Sequence, residues 1–473
     1  MKINNIIKVT SMVLIILLSI YSTTAFGIRI TNWTSSGSNY KTLYGKTIYV
    51  DDNADAEWYD ETHVKTITEG VNKAEDGDTV YVYNGKYKEN IEITKSIELI
   101  GQNRDKTFIK DSNDKNYGLL VLASDVTIKK FTFEGFVGSM FSRAIQIGMA
   151  DGSSPQEDIH LSNCQIRYCD GGIFVYHVAN SMINDCKIFG NHGSGLVIED
   201  SSSVTIKNCL LGGNGGKTED GLTRSGGITI VSEASTVSNI EISRCTIEEN
   251  IGIGIELFVF GTSNSVKNVK IHNNYLIKNS WYGIDIQEVG DTEIYDNEIC
   301  KNKKCGIYAN MLKSDCVIIN NKISDNGGAN NIDCGIYIMD CSETITIKNN
   351  EIQNNVKAGF ILLRSMSHKI INNIISQNGI GISLSFSSGN NIEGNTISSN
   401  DIGIKINQCL YDTNLLKKEN TFKDNGQDIV VKQRNRIKMR LYDLFPFKIL
   451  IQFIQQLKNL RTIDKEKNLN CIV

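Results

Sequence analysis

The chain has 473 residues, 40% of them apolar, and a formal net charge of −4. That length would hold two or three ordinary domains. A charge so near balance gives no electrostatic case for nucleic acid as a partner, and only two prolines, Pro155 and Pro446, exclude proline-rich linkers.

In chain order, residues 1–27 read as a secretory signal. Lys2 and Lys8 form a positive start, Met12 to Ile20 an apolar run, and Ala25-Phe26-Gly27 small residues for cleavage near Gly27. The alternative is an uncleaved anchor, for which the run is short. A cleaved signal makes the mature protein secreted or displayed at the cell surface. Residues 28–45 read as a linker. Residues 46–125 read as an N-terminal cap with the first coils, comprising strands around K-T-I-Y-V-D-D, a short helix V-K-T-I-T-E-G-V-N-K-A, and strands D-G-D-T-V-Y-V-Y and N-I-E-I.

Residues 126–431 carry a repeat of roughly 22 to 29 residues, of the form I/V-x-I-x-N-N-x-I-x-x-N followed by Gly-Ile-x-Ile. Alternating I-x-I pairs are short strands with one inward face. Three such strands per unit predict a single-stranded right-handed parallel β-helix, an all-β solenoid of about twelve coils. One ladder position holds Cys164, Cys186, Cys209 and Cys245, then Asn274, Asn297, Asn321, Asn350, Asn373 and Asn395. Five residues on, a second begins at Cys169 and continues as asparagine from Asn191 to Asn400. A third is glycine, from Gly172 to Gly403. Asparagine tolerates left-handed turns and hydrogen-bonds its own kind in the next coil.

The repeat also accounts for most of the 12 cysteines. Five stand at ladder sites and Cys316 at an inward Val/Ile site, as small buried side chains. Cys305 and Cys334 precede the glycines of neighbouring coils, about 4.8 Å apart, and are the best disulfide or metal candidates. No C-x-x-C occurs and the six histidines fall at unrelated positions, so the residues assign no metal site. Residues 432–473 hold ten Lys/Arg against three Asp/Glu. With apolar residues at helical spacing, this tail reads either as an amphipathic capping helix or as a basic segment lying on an anionic membrane or wall polymer.

These residues resemble right-handed parallel β-helix proteins of the pectin-lyase-like superfamily. The segment T-I-T-E-G-V-N-K-A-E-D-G-D-T-V-Y-V-Y-N-G-K-Y-K-E-N-I-E-I is similar to that superfamily's N-terminal part. The later coils resemble carbohydrate-binding and sugar-hydrolysis repeats, and the β-helix protein of nitrous-oxide-reductase maturation. The resemblance covers residues 46–430. It implies polysaccharide as the partner class and admits calcium; the sequence itself shows no cofactor. The superfamily's catalytic signatures (Q-D-T-L, D-F-I-F-G, W-I-D-H, R-x-P-x-x-R) are missing, so no catalytic set carries over, and one fold hosts many activities.

The middle residues of the Gly-Ile-x-Ile strands form an outward column that the pattern predicts to be exposed: Gln146, Phe174, Val197, Thr229, Glu256, Asp285, Tyr308, Tyr337 and onward. Beside it runs a second column with Tyr176, Glu199, Phe258 and Gln287. Glu256 and Asp285 fall in stacked coils, with carboxyls about 5 Å apart, near the separation of retaining glycosidases; they are the candidate catalytic pair. Tyr176, Phe174, Glu199, Phe258, Gln287, Tyr308 and Tyr337 are the candidate substrate-binding residues, the rings stacking on sugars. The sequence therefore supports an exported protein that binds polysaccharide, with or without processing it, or a non-catalytic surface or adhesin-like protein using the solenoid as a rigid scaffold.

Overall fold

The computed structural model describes residues 45–432, apart from 113–114, 139–141, 150–154, 217–225, 261–264 and 329–332. The signal, nearly all of the linker and the basic tail lie outside these residues. Among the described residues no helix is long and apolar enough to cross a membrane.

Each coil runs through three strands, one in each of three parallel sheets, here called A, B and C in order along a coil. Sheet A has 16 strands, and sheets B and C have 14 each. Among the described residues sheets B and C therefore make 14 coils, against the expected twelve or so. The extra coils lie at the ends, where Gly85–Lys88 and Ile91–Ile93 already begin sheets B and C, and Thr421–Lys423 and Gln427–Lys432 end them. These coils lack the Gly-Ile motif and were invisible to a motif count. The helix Ile67–Lys73 starts at Thr66, whose side chain accepts from Glu69 N–H. Glu89 accepts from Ile67 and Thr68 N–H at 2.9 and 2.8 Å, satisfying groups that a helix start leaves open. Its Ile67 and Val71 are buried.

The inward residues form one continuous column of isoleucine, valine and leucine, with Ile294, Ile318, Ile347 and Ile370 all 0% exposed. A fully buried isoleucine contributes about 1.5–3 kcal/mol, so the core grows linearly with coil number.

The asparagine ladders stand where the repeat placed them, but the backbone role differs from expectation. The ladder asparagines are not left-handed; the residue before each one is. Asn349 and Asn354, at φ of 56° and 55°, precede Asn350 and Asn355, and Asn320 and Asp325, at 58° and 56°, precede Asn321 and Asn326. The left-handed residue makes the corner and the ladder amide turns inward. Asn326 then donates from Nδ2 to Asn355 Oδ1 at 3.1 Å and to Ile299 O at 2.9 Å. Its Oδ1 accepts from the backbone N–H and Nδ2 of Asn302 at 3.1 and 2.9 Å. Both polar atoms of the Asn326 amide thus have partners, as burial requires.

The ladder glycines have no left-handed φ. A Cβ on Gly335 would stand 2.7 Å from Gly359 O and 3.0 Å from Asn355 Nδ2, so close backbone approach, not turn geometry, demands glycine there.

The connections differ in kind. From sheet A to sheet B the chain spends two residues in every coil from Thr127–Lys129 to Thr396–Ser398. Variation in coil length falls on either side of sheet C, as between Leu210–Gly212 and Ile228–Ser232 and between Arg143–Ile147 and Gln156–Glu157.

Candidate functional site

Sheet C is where outward side chains meet the variable connections. Strand register aligns the predicted column: Gln146 with Phe174, Phe174 with Val197, Val197 with Thr229, Thr229 with Glu256, Glu256 with Asp285, Asp285 with Tyr308, and Tyr308 with Tyr337. Tyr176 aligns with Glu199, Glu199 with Val231, Val231 with Phe258, and Gln287 with Asn310. Every candidate therefore lies on one face.

Exposure corrects the expectation. Glu256 is 5% exposed, Asp285 2% and Tyr337 5%, while Phe174, Tyr176, Glu199, Phe258, Gln287 and Tyr308 are half-buried. Outward rows about 4.8 Å apart cover one another, and the C-terminal half of the face builds a second apolar cluster outside the solenoid. That cluster holds Ile253, Tyr282, Cys305, Cys334, Tyr337 and Ala358, with Trp281 and Tyr308 packed on it. Tyr282 stacks on Tyr308 at 4.9 Å and 10°, and Lys304 Nζ sits 3.3 Å from the Trp281 ring centroid, a cation–π contact. Gln287 Nε2 donates to Asp285 Oδ2 at 3.0 Å. Burial, and then nearby charges including Asp285, push the Tyr282 and Tyr308 phenols well above their ordinary value. The candidate acid pair is thus side by side but covered, in a strip whose surface is aromatic and apolar.

The N-terminal half of the same face is more open. A shallow cavity of about 400 Å³ is lined by Lys115, Asn116, Tyr117, Leu120, Gln146 and Met149. Tyr117 is half-buried, with its hydroxyl 3.3 Å from Glu92 Oε2. Next along the face, the Arg143 guanidinium lies 3.7 Å from the Phe174 ring centroid and donates to Gln146 Oε1 at 3.1 Å. One face of Phe174 is therefore taken. Tyr176 lies 6.1 Å from Phe174, nearly parallel at 17°.

Beyond Tyr176 stands Glu199, whose carboxyl is hydrogen-bonded to that of Glu233. Burial, then the charge and hydrogen bond of Glu233, push Glu199 up from 4.5 to about 7. Glu233 is held by its own backbone. Asp200 accepts from the N–H groups of Glu233, Ala234 and Ser235 at 2.9, 2.9 and 3.0 Å, which pins the turn after strand Ile228–Ser232. The arrangement offers rings to stack on, amides to bond hydroxyls, a fixed cation and a proton held at neutral pH.

Sequence reasoning did not single out Arg143, Tyr117 and Glu233. Arg143 was readable, since it lies three residues before Gln146 on a strand that the repeat places. The Glu199–Glu233 contact spans a coil containing the longest insertion, which hides its register. Among the described residues no group of three or more His, Cys, Asp or Glu side chains is placed to hold a metal ion.

Two family models match the chain. Residues 97–268 match the right-handed beta helix region, and residues 282–443 match the periplasmic copper-binding protein NosD. No curated protein matches. Among solved structures, the chain is similar to the catalytic unit of a thermostable alpha-1,3-glucanase from Streptomyces thermodiastaticus, at 12% identity and TM-score 0.51, covering 86% of this chain and 72% of that one. It is also similar to a surface adhesin of Streptococcus pneumoniae, at 15% identity and TM-score 0.45, covering 75% and 85%. The mannuronan C-5 epimerase A-module of Azotobacter vinelandii is similar at 16% identity and TM-score 0.42, covering 75% and 89%. With three stacked parallel sheets and a match to the right-handed beta helix region over residues 97–268, the chain has the fold of a right-handed parallel β-helix.

Proposed function

We propose that this is an extracytoplasmic β-helix protein that binds polysaccharide along the N-terminal half of sheet C. The observation that carries this reading is the row formed by the cavity at Tyr117 and Gln146, then Arg143, Phe174, Tyr176 and Glu199. Half-buried rings repeating at coil spacing, with amide and charged groups between them, suit a ligand with apolar ring faces and many hydroxyls. Neutral hydroxyl-bearing rings also fit the balanced charge of the row. Export rests on the N-terminal signal pattern and on the family described as periplasmic. The copper in that family's description has no fitting donor set among the described residues. His368, the histidine within the matched span, is buried, and its Nδ1 accepts from Ile345 N–H.

Glu256 and Asp285 sit next to this row. Their part in chemistry is a separate question from binding. The test is a glycan array on the wild-type chain, Tyr117→Ala, Tyr176→Ala, and the pair Glu256→Gln/Asp285→Asn, with product analysis on every hit. Binding that falls at least tenfold in both tyrosine variants is expected. A wild-type chain that binds no glycan, or binding indifferent to both tyrosines, overturns the proposal. Turnover abolished in the acid variants would assign them the chemistry; binding without turnover removes it.

The apolar strip over Tyr337, Met339, Ile361 and Leu363 favours a second reading for the C-terminal half, a protein-contact face on a rigid scaffold.

A further inference from the structure

We propose that Cys305 and Cys334 form a disulfide that stitches two adjacent coils beneath the aromatic strip of sheet C. The two residues hold equivalent places in neighbouring coils, each immediately before a ladder glycine. The coils run in register, with Ile307 opposite Ile336, and Gly306 N–H donates to Cys334 O at 3.0 Å. The Cys334 thiol points at Cys305 Sγ, 3.4 Å away, and both residues are 0% exposed. Parallel neighbours stand about 4.8 Å apart, inside the roughly 4.4–6.8 Å Cα range of disulfides. Closing the gap needs side-chain rotation and no shift of a coil.

Other described cysteines reach a backbone carbonyl, and in the ladder Cys186 and Cys209 meet the thiols of neighbouring coils as well. Cys164, Cys186, Cys209 and Cys245 point Sγ at the carbonyl two residues back, at 3.3 to 3.4 Å. Cys341 and Cys409 do the same at 3.3 and 3.2 Å. Those thiols replace a ladder amide or a turn hydroxyl as a local donor. The Cys334 thiol meets the Cys305 sulfur. Tyr282, Tyr337 and Ala358 close over the pair.

The bond forms by exchange with an oxidising disulfide, small-molecule or protein, met before the two coils pack. One thiolate attacks a sulfur of the oxidant, giving a mixed disulfide and one released thiol. The second thiolate then attacks the mixed disulfide at its cysteine sulfur, forming Sγ–Sγ and releasing the second thiol. Two cysteine thiols lose two electrons and two protons, and the oxidant leaves as two thiols. Once packed, the aromatic cluster keeps reductant out. The crosslink fixes the spacing of the strands that carry Tyr308 and Tyr337, and it stands whether or not the face binds glycan.

The test equilibrates the full chain, during refolding, in a buffer of oxidised and reduced glutathione. The chain is then denatured with an alkylating agent, and its peptides are mapped with and without reduction. Peptides carrying Cys305 and Cys334 are expected joined, about 2 Da lighter than the reduced pair, and alkylated only after reduction. The other cysteines are expected to be alkylated without it. Cys305→Ser should leave Cys334 alkylated without reduction. Both positions alkylated without reduction in the wild-type chain overturns the proposal, as does either residue joined to a different cysteine. The deciding reading is on the wild-type chain, so a variant that fails to fold does not obscure it.

Discussion

Replacing Asn326 by alanine removes four hydrogen bonds at once. Its Nδ2 donates to Asn355 Oδ1 and Ile299 O, and its Oδ1 accepts from Asn302 N–H and Nδ2. All of these groups lie in the buried interior, where Asn326 is 0% exposed. At a net ~1 kcal/mol each, with the buried Asn302 N–H left without its acceptor, the loss is about 3–5 kcal/mol. A solenoid need not unfold in one step, because each coil contacts only its neighbours. Global denaturation alone would therefore blur the effect. Hydrogen exchange of Asn302 N–H, whose acceptor is the deleted Oδ1, reads it locally, and its exchange is expected to speed up by at least a hundredfold. Asn326→Cys should fall between wild type and alanine, since Cys245 occupies such a site with its thiol toward Ser243 O at 3.3 Å. An alanine variant within about 1 kcal/mol of wild type, with Asn302 exchange unchanged, would refute the ladder as a source of stability.

Three further outcomes follow from the same geometry. Glu199 is raised from 4.5 to about 7 in the fold, so the folded chain holds a proton that the unfolded chain releases. Stability then falls as pH rises from about 4.5 to 7 and is level above; discounted for partial solvation, the drop is about 1–2 kcal/mol. Denaturant midpoints across pH should show it, and Glu199→Gln should flatten it; a curve unchanged by the variant counts against the raised Glu199 carboxyl. Gly335→Ala should lower the midpoint by about 1–3 kcal/mol, because its Cβ would stand 2.7 Å from Gly359 O; a neutral effect would mean the coils yield. Cys245→Asn should extend the ladder, offering an amide to Asn274 Oδ1, which already accepts from Cys245 N–H at 2.9 Å. A gain of up to about 1 kcal/mol is expected in the same assay, and destabilisation would show that the cysteine column is tuned to its own volume.

Periodic features were legible because a solenoid repeats its environment. Asn350 meets Asn373 as Asn373 meets Asn395, so one coil teaches the next, and the register of the outward column followed. Exposure was not legible. Whether Glu256 is open depends on neighbours in other coils and on the aromatic cluster built from Trp281, Tyr282 and Tyr308, and alternation in one strand carries neither. The left-handed residue was misplaced by one because Asn-Asn pairs such as Asn349-Asn350 and Asn372-Asn373 hide which member turns the corner. Where the pair reads Asp296-Asn297 or Gln377-Asn378, the identity of the turning residue varies and that of the ladder does not. That asymmetry is the signal that separates the two roles.

The corner between sheets A and B also limits where the coils can vary. Between sheets A and B the coil has one left-handed residue and one ladder residue, and each ladder amide bonds the coil above and below. An insertion there would break the ladder contacts to the coils on both sides, and the connection stays at two residues throughout the repeat. Before sheet C the same two-residue corner recurs, as at Asp325 and Asn326, but the added length there falls after the ladder asparagine. Coils differ in length there, as in the long connection before Ile228 and the short one before Leu196, and loops of different size can rise beside the face. Sheets A and B can vary only in their outward side chains. Sheet C can vary in side chains and in walls, and the cavity at Tyr117, the Arg143–Phe174 stack and the Glu199–Glu233 pair all stand on it.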